Sequence, residues 1–183
     1  MSVELHPLID GGVDHAVANP SGGILSCRCA EQPVRVEVAT EIGQVCVCGC
    51  PNCWKPAGAK LAIVSLALRE GVAVADNGEK LTVVDETAPI RRHQCSECGV
   101  HLFGRVDDMD HPFHGVDLIH PELFNRTIAP VPGFALFVAL LGEAGRDDGA
   151  VEMVRTRLRE LGIIPHDYLS PALMEVLGRH AGG

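Results

Sequence analysis

Half of the eight cysteines in this 183-residue chain fall in one short run, Cys46 to Trp54, reading C-V-C-G-C-P-N-C-W. The others form two outlying pairs, Cys27/Cys29 and Cys95/Cys98. Thiols so dense and so spaced point to metal ligation or redox chemistry rather than packing. Zinc suits them, because it binds thiolates tetrahedrally at about 2.3 Å. Cys95-Ser-Glu-Cys98-Gly99 is a C-x-x-C-G knuckle, whose glycine eases the turn that points backbone N–H groups at sulfur. Cys27-Arg-Cys29 is C-x-C, which on an extended strand sends both side chains to one face. Two ligands from each pair make one closed, structural four-sulfur site.

The central run admits two readings. On an extended segment Cys46, Cys48 and Cys50 share a face, and Cys53 returns through the Pro51-Asn52 turn. All four thiols then close a second structural zinc. In the other reading three thiols hold the metal and the fourth position stays open for water or substrate, as catalytic zinc sites require. Spacing does not choose between them, nor does it fix which knuckles share a metal.

The length suits a single domain with enough core to need no staple. The longest apolar runs, Leu61–Leu68 and Phe134–Leu141, fall short of the roughly 20 residues of a membrane span, so no membrane association is expected. The start, M-S-V-E-L-H-P, has neither a basic nor an apolar leader segment, which predicts a cytoplasmic, reducing location and thiols rather than disulfides. The formal net charge of −9, more negative still once thiolates are counted, argues against nucleic-acid binding.

The elements that must position the cysteines read as mainly β with C-terminal helices, an α+β chain. Residues 1–23 form an irregular arm broken by Gly11-Gly12, Asn19-Pro20 and Gly22-Gly23, with Leu5, Leu8 and Ile9 as apolar anchors. Residues 24–120 form a zinc-binding β core. Val34, Val36 and Val38 alternate with polar or small residues as a half-buried strand, and Leu61–Leu68 reads as a central one. Asp76-Asn77-Gly78-Glu79 predicts a tight hairpin between Gly71–Ala75 and Lys80–Asp85. Ile90–Gln94 and Val100–Val106 flank the Cys95–Gly99 turn, and Val116–His120 adds a last strand. Residues 121–183 read as helical: Phe134–Leu141 as a buried helix ended by Gly142, then Val151, Val154, Leu158 and Leu161 at helical spacing before Gly162. Ser170-Pro171 starts a last helix as N-cap and first-turn proline, and Arg146-Asp147-Asp148 reads as solvated loop.

The strings V-C-G-C-P-N-C-W-K-P (47–56), R-R-H-Q-C-S-E-C-G-V-H-L-F-G-R (91–105) and D-H-P-F-H-G-V-D (110–117) closely resemble the glutathione-dependent formaldehyde-activating enzymes, or S-(hydroxymethyl)glutathione synthases. The likeness extends through L-H-P-L-I-D, R-L-R-E-L-G and L-S-P-A-L-M, and so spans essentially the whole chain. It implies a carbon–sulfur lyase that joins formaldehyde to glutathione, on the zinc-braced coiled β-sheets shared with methionine-R-sulfoxide reductases. It implies two zincs per chain: a structural one on Cys27, Cys29, Cys95 and Cys98, and an exchangeable catalytic one on Cys48, Cys50 and Cys53. Cys46 departs from the family pattern, either packing as a small hydrophobe or capturing the open position. A carrier of glutathione, or a zinc-braced interaction module, would have nearly the same sequence.

Other polar residues lie close to these motifs. His93 and His101 flank the second knuckle at positions where a proton could be shuttled, and His111 and His114 lie in a loop-like segment. Lys55, Arg91, Arg92 and Arg105 are candidate partners for glutathione carboxylates. His6 belongs to the arm, and Trp54, the sole tryptophan, is expected to pack beside the zinc loop.

Overall fold

The computed structural model describes residues 3–11, 21–125, 132–143 and 148–178. In chain order the strands are β1 (Ser21–Ser26), β2 (Arg35–Glu41), β3 (Cys46–Cys48), β4 (Ala62–Leu68), β5 (Val72–Asp76), β6 (Leu81–Val83), β7 (Arg91–Cys95), β8 (His101–Arg105), β9 (Val116–Ile119), β10 (Phe134–Leu136) and β11 (Ile164–Pro165). The helices are α1 (Pro7–Asp10), α2 (Leu140–Glu143), α3 (Asp148–Glu160) and α4 (Pro171–Gly178). One sheet has the order β1-β2-β5, and the other β11-β10-β3-β4-β9-β8-β7-β6. No helix of the described residues is long and apolar enough to cross a membrane.

Strands β3 and β4 have apolar matter on both faces, which decides where the cysteines point. On β4, Ile63 and Ala67 join the main core while Ala62, Val64 and Leu66 join a second cluster. A strand covered on both sides reads as a continuous apolar run, and Leu61–Leu68 does. The same alternation on β3 sends Val47 into the main core and Cys46 and Cys48 into the second cluster. The main core also takes Val34, Val36 and Val38 of the smaller sheet, as the alternation predicts, and Leu5 and Ile9 of the arm. Leu8 stays exposed.

Some expectations fail. Phe134–Leu141 is not one buried helix: Phe134–Leu136 is β10, lying parallel to β3 with Phe134 opposite Cys46 and Leu136 opposite Cys48, and α2 begins only at Leu140 and runs through Gly142. A short apolar run carries no period that separates helix from strand. Here Ala135 faces the main core and Phe134 and Leu136 the second cluster, so strand pairing decides. Nor do β5 and β6 form a hairpin. Asn77 does take the left-handed conformation expected of it (φ 55°), but β5 pairs with β2 and β6 with β7, so the turn passes the chain between sheets.

The arm expected to be irregular over 1–23 carries a helical turn, α1, on the His6 N-cap and Pro7, and β1 already begins at Ser21, while Ile164–Pro165 in the stretch read as helical pairs with β10 as a strand. Other local signals hold. β7 and β8 pair antiparallel around the second knuckle. Helix α3 ends on Gly162 at φ 75°, with the Gly162 N–H on the Arg159 carbonyl and the Ile163 N–H on the Leu158 carbonyl, a Schellman cap closed by two buried side chains, Leu158 and Ile163. Ser170 caps α4 through the Leu173 N–H at 3.3 Å. Gly12, Asn19-Pro20 and the Arg146-Asp147 pair lie outside the described residues.

Candidate metal centre

Cys27 follows β1 and its N–H donates to the Val34 carbonyl, while the Val34 N–H donates to Cys27 Sγ at 3.2 Å. Cys95 closes β7. Gly99, at φ 70°, turns the chain so that its N–H meets the Cys95 carbonyl at 2.8 Å. These two turns bring the sulfurs of Cys27, Cys29, Cys95 and Cys98 all within 4.8 Å of one another, the only such set of potential ligands among the described residues. The Cys29–Cys95 sulfur separation of 3.6 Å compares with about 3.8 Å between ligands on a tetrahedral zinc. The donor chemistry and spacing fit a metal ion. Cys95 and Cys27 are buried, so the set is closed on one side by the core itself.

The second set lies beside a cavity. Gly49, between Cys48 and Cys50, donates its N–H to the Leu136 carbonyl at 2.9 Å, and a Cβ there would lie 2.4 Å from the Phe137 carbonyl oxygen. Only glycine lets β10 seat this closely on the cysteine loop. Beyond it the Cys53 N–H reaches the Cys50 carbonyl at 3.3 Å, and Lys55 Nζ donates to the carbonyls of Cys50 (2.6 Å) and Cys53 (3.2 Å). Cys48 Sγ and Cys53 Sγ come to 3.7 Å, again a tetrahedral ligand spacing. Hydrogen bonds from Cys48 and Cys53 hold the Cys50 thiol far below its usual range, while the thiols of Cys48 and Cys53 are themselves raised, so the negative charge concentrates on Cys50. Cys46 is different: burial pushes its thiol up to about 12, and it lies against Val64 and Phe134 across the strands on either side.

All four central cysteines line one cavity of about 180 Å³, walled by β4, β9 and β10, by Phe113 and by Leu169 and Leu177 at the C-terminal end. Phe137, which lines it, has φ 55°, a strained conformation for an aromatic residue. A narrower cleft lined by His101, His120 and Phe103 shares Cys53 and Arg92 with it.

The other candidate residues separate by what already occupies them. Arg105 is committed to Asp117, with Nε at 2.9 Å and 3.2 Å from the two carboxylate oxygens and Nη2 on Oδ2 as well. Arg91 pairs with Asp107 at 2.9 Å, and Lys55 is spent on the loop carbonyls. Arg92, whose Nη1 donates to the Ile90 carbonyl, forms no ion pair among the described residues and lines both cavity and cleft. His93 stacks on Phe103 with centroids 4.3 Å apart, and neither it nor His6 lines the cavity. His6 instead caps α1 and faces buried Glu122 at 3.5 Å. His111 accepts the Phe113 N–H, a turn role, and His114 is exposed. His101 is brought near Cys53, but burial lowers it to about 4, which keeps it neutral. Trp54 packs as expected, edge-on to His120 at 5.6 Å and under Arg28 at 4.9 Å, so it bridges the two cysteine sets. His120 was not marked by any sequence motif: its place follows from β9 ending beside β4, where its Nδ1 meets the Ile63 carbonyl.

A family model described as glutathione-dependent formaldehyde-activating enzyme matches residues 24–132, a stretch that holds every cysteine. The chain belongs to this family. A curated protein of Fusarium vanettenii named "Putative glutathione-dependent formaldehyde-activating enzyme" is 41% identical over 177 residues, 97% of this chain and 95% of that protein. That likeness extends past the family match to β10, α3 and α4, and so takes in the walls of the cavity as well as its cysteines.

Proposed function

We propose that this protein joins formaldehyde to glutathione as S-(hydroxymethyl)glutathione, using a structural zinc on Cys27, Cys29, Cys95 and Cys98 and an exchangeable one on Cys48, Cys50 and Cys53. The observation that carries this reading is the contrast between the two thiol sets in a chain of this family: four sulfurs gathered within 4.8 Å of one another in the first, and in the second four cysteines along a cavity, of which only Cys48 and Cys53 come to ligand spacing at 3.7 Å. Free glutathione thiol is largely protonated at neutral pH, whereas the thiolate is the nucleophile. Zinc at the second site would supply deprotonation and placement of that thiol.

The chain's own residues do the rest. Gly49 and Lys55 fix the loop on which Cys48, Cys50 and Cys53 sit. Cys46, buried and protonated, packs as a small hydrophobe and leaves the fourth position free. Arg92, the one cation of the cavity lining, has one nitrogen on the Ile90 carbonyl and offers its remaining N–H groups to a carboxylate or a developing alkoxide. Neutral His101 is a weak proton donor, so the alkoxide takes its proton from water. We place the reaction in the cytoplasm, where glutathione is reduced, on the scaffold shared with methionine-R-sulfoxide reductases.

Zinc content measured with and without millimolar glutathione tests the exchangeable site. Loss or displacement of one zinc of two is expected, and retention of both with no calorimetric glutathione binding refutes the reading. The same thiols, with Cys48 and Cys53 at ligand spacing, would equally serve a second reading, a glutathione carrier without catalysis. Magnetisation-exchange NMR on formaldehyde and glutathione separates the two: exchange no faster with protein than without supports the carrier.

A further inference from the structure

The cavity beside the central cysteines does not match the body of the thiol proposed to react there. Glutathione carries two carboxylates and an ammonium group. The lining offers a single guanidinium, Arg92, and one hydroxyl, Ser65, which already donates to the Gly43 carbonyl at 2.8 Å. Otherwise it is thiols and hydrocarbon: Leu66 and Leu118 from the sheet, Leu136 and Phe137 from β10 and the turn after it, Leu177 from α4. Segments far apart in sequence each contribute an apolar wall. The space is also far larger than the one carbon and one oxygen of formaldehyde need. Apolar cavities of about 150 Å³ stay dry and accept benzene-sized ligands, and this one measures about 180 Å³.

We propose that the cavity also receives the hydrocarbon part of aldehydes larger than formaldehyde, so that apolar aliphatic and aromatic aldehydes join formaldehyde in the substrate class of this site. This rests on the reading that Cys48, Cys50 and Cys53 present a thiolate, and it names what that thiolate attacks. The sulfur forms a C–S bond to the carbonyl carbon, the C=O π pair moves onto oxygen, and the proton released on thiol ionisation ends there. Nothing is oxidised or reduced. With its tail in the cavity, the aldehyde carries its carbonyl to the wall that the cysteines share with Arg92, and the glutathione peptide stays outside.

The test is a chain-length series on the zinc-loaded protein: straight aldehydes of one to eight carbons with glutathione, protein-dependent exchange followed by NMR. Each buried methylene should raise kcat/KM about fourfold until the chain outgrows the cavity, after which it falls. Leu169→Trp, which narrows the cavity from a partly exposed position, should cut the hexanal-to-formaldehyde ratio at least tenfold. A rate that is highest with formaldehyde and declines along the series overturns the inference and leaves the proposed function standing. Should no aldehyde react faster with protein, the proposed function fails by itself, and calorimetry with unreactive hexan-1-ol decides the cavity. Binding that Leu169→Trp abolishes supports the apolar site, and absence of binding overturns it.

Discussion

Arg105→Met should destabilise the protein by about 3 kcal/mol without touching either cysteine set. Asp117 is fully buried on β9, and its carboxylate oxygens are held by Arg105, directly across the ladder on β8. Removing the guanidinium strands a buried charge, which costs about 3–5 kcal/mol. The Arg105 side chain is 26% exposed, so water reaches part of the gap and the lower end applies. For a chain of this length that is a fall of roughly 6–12 °C in Tm. The double variant Arg105→Met/Asp117→Leu removes both charges and should return to within about 1 kcal/mol of the parent. The assay is thermal unfolding by circular dichroism under reducing conditions at fixed zinc, with zinc content measured in parallel. Arg105→Met melting within 2 °C of the parent, or a double variant no better than the single, refutes the reasoning. A loss of glutathione binding with unchanged Tm would return Arg105 to the substrate.

Lys55→Met should weaken zinc at the central cysteines about 10–100-fold in chelator competition, leaving the other zinc unmoved, because it frees the two loop carbonyls. Gly49→Ala should cost roughly 1–3 kcal/mol in denaturant unfolding, since its Cβ pushes β10 off β3. Cys46→Ala should keep the zinc stoichiometry of the parent, by metal analysis, while losing about 1 kcal/mol of stability from the buried sulfur.

What could be read from the sequence was local. The C-x-C and C-x-x-C-G pairs, the Val34–Val38 alternation, the strands around Cys95–Gly99 and the glycine that ends α3 each carry their signal within a few residues; the structure gathers the four sulfurs of the pairs and shows the other three features. What could not be read depended on distant partners. Phe134–Leu136 is a strand because β3 accepts it, and the left-handed Asn77 serves a crossover rather than a hairpin because β2 and β7 claim the flanking strands. Of four cations near the cysteines, only the structure could show that Asp117 and the loop carbonyls claim Arg105 and Lys55 while Arg92, with one nitrogen on the Ile90 carbonyl, pairs with no carboxylate among the described residues. His120 escaped notice for the same reason.

The parallel seat of β10 on β3 also sets an order of events at the ribosome. The closed cysteine set is complete once residue 98 has emerged, whereas Cys46 and Cys48 gain their cover only when residues 134–177 arrive. A chain folding from its N-terminus therefore passes through a stage with one cysteine set assembled and a second group of thiols bare. Oxidants and stray metals meet that half-finished chain first, so the compartment that makes this protein must keep it reduced until its last strands are in place.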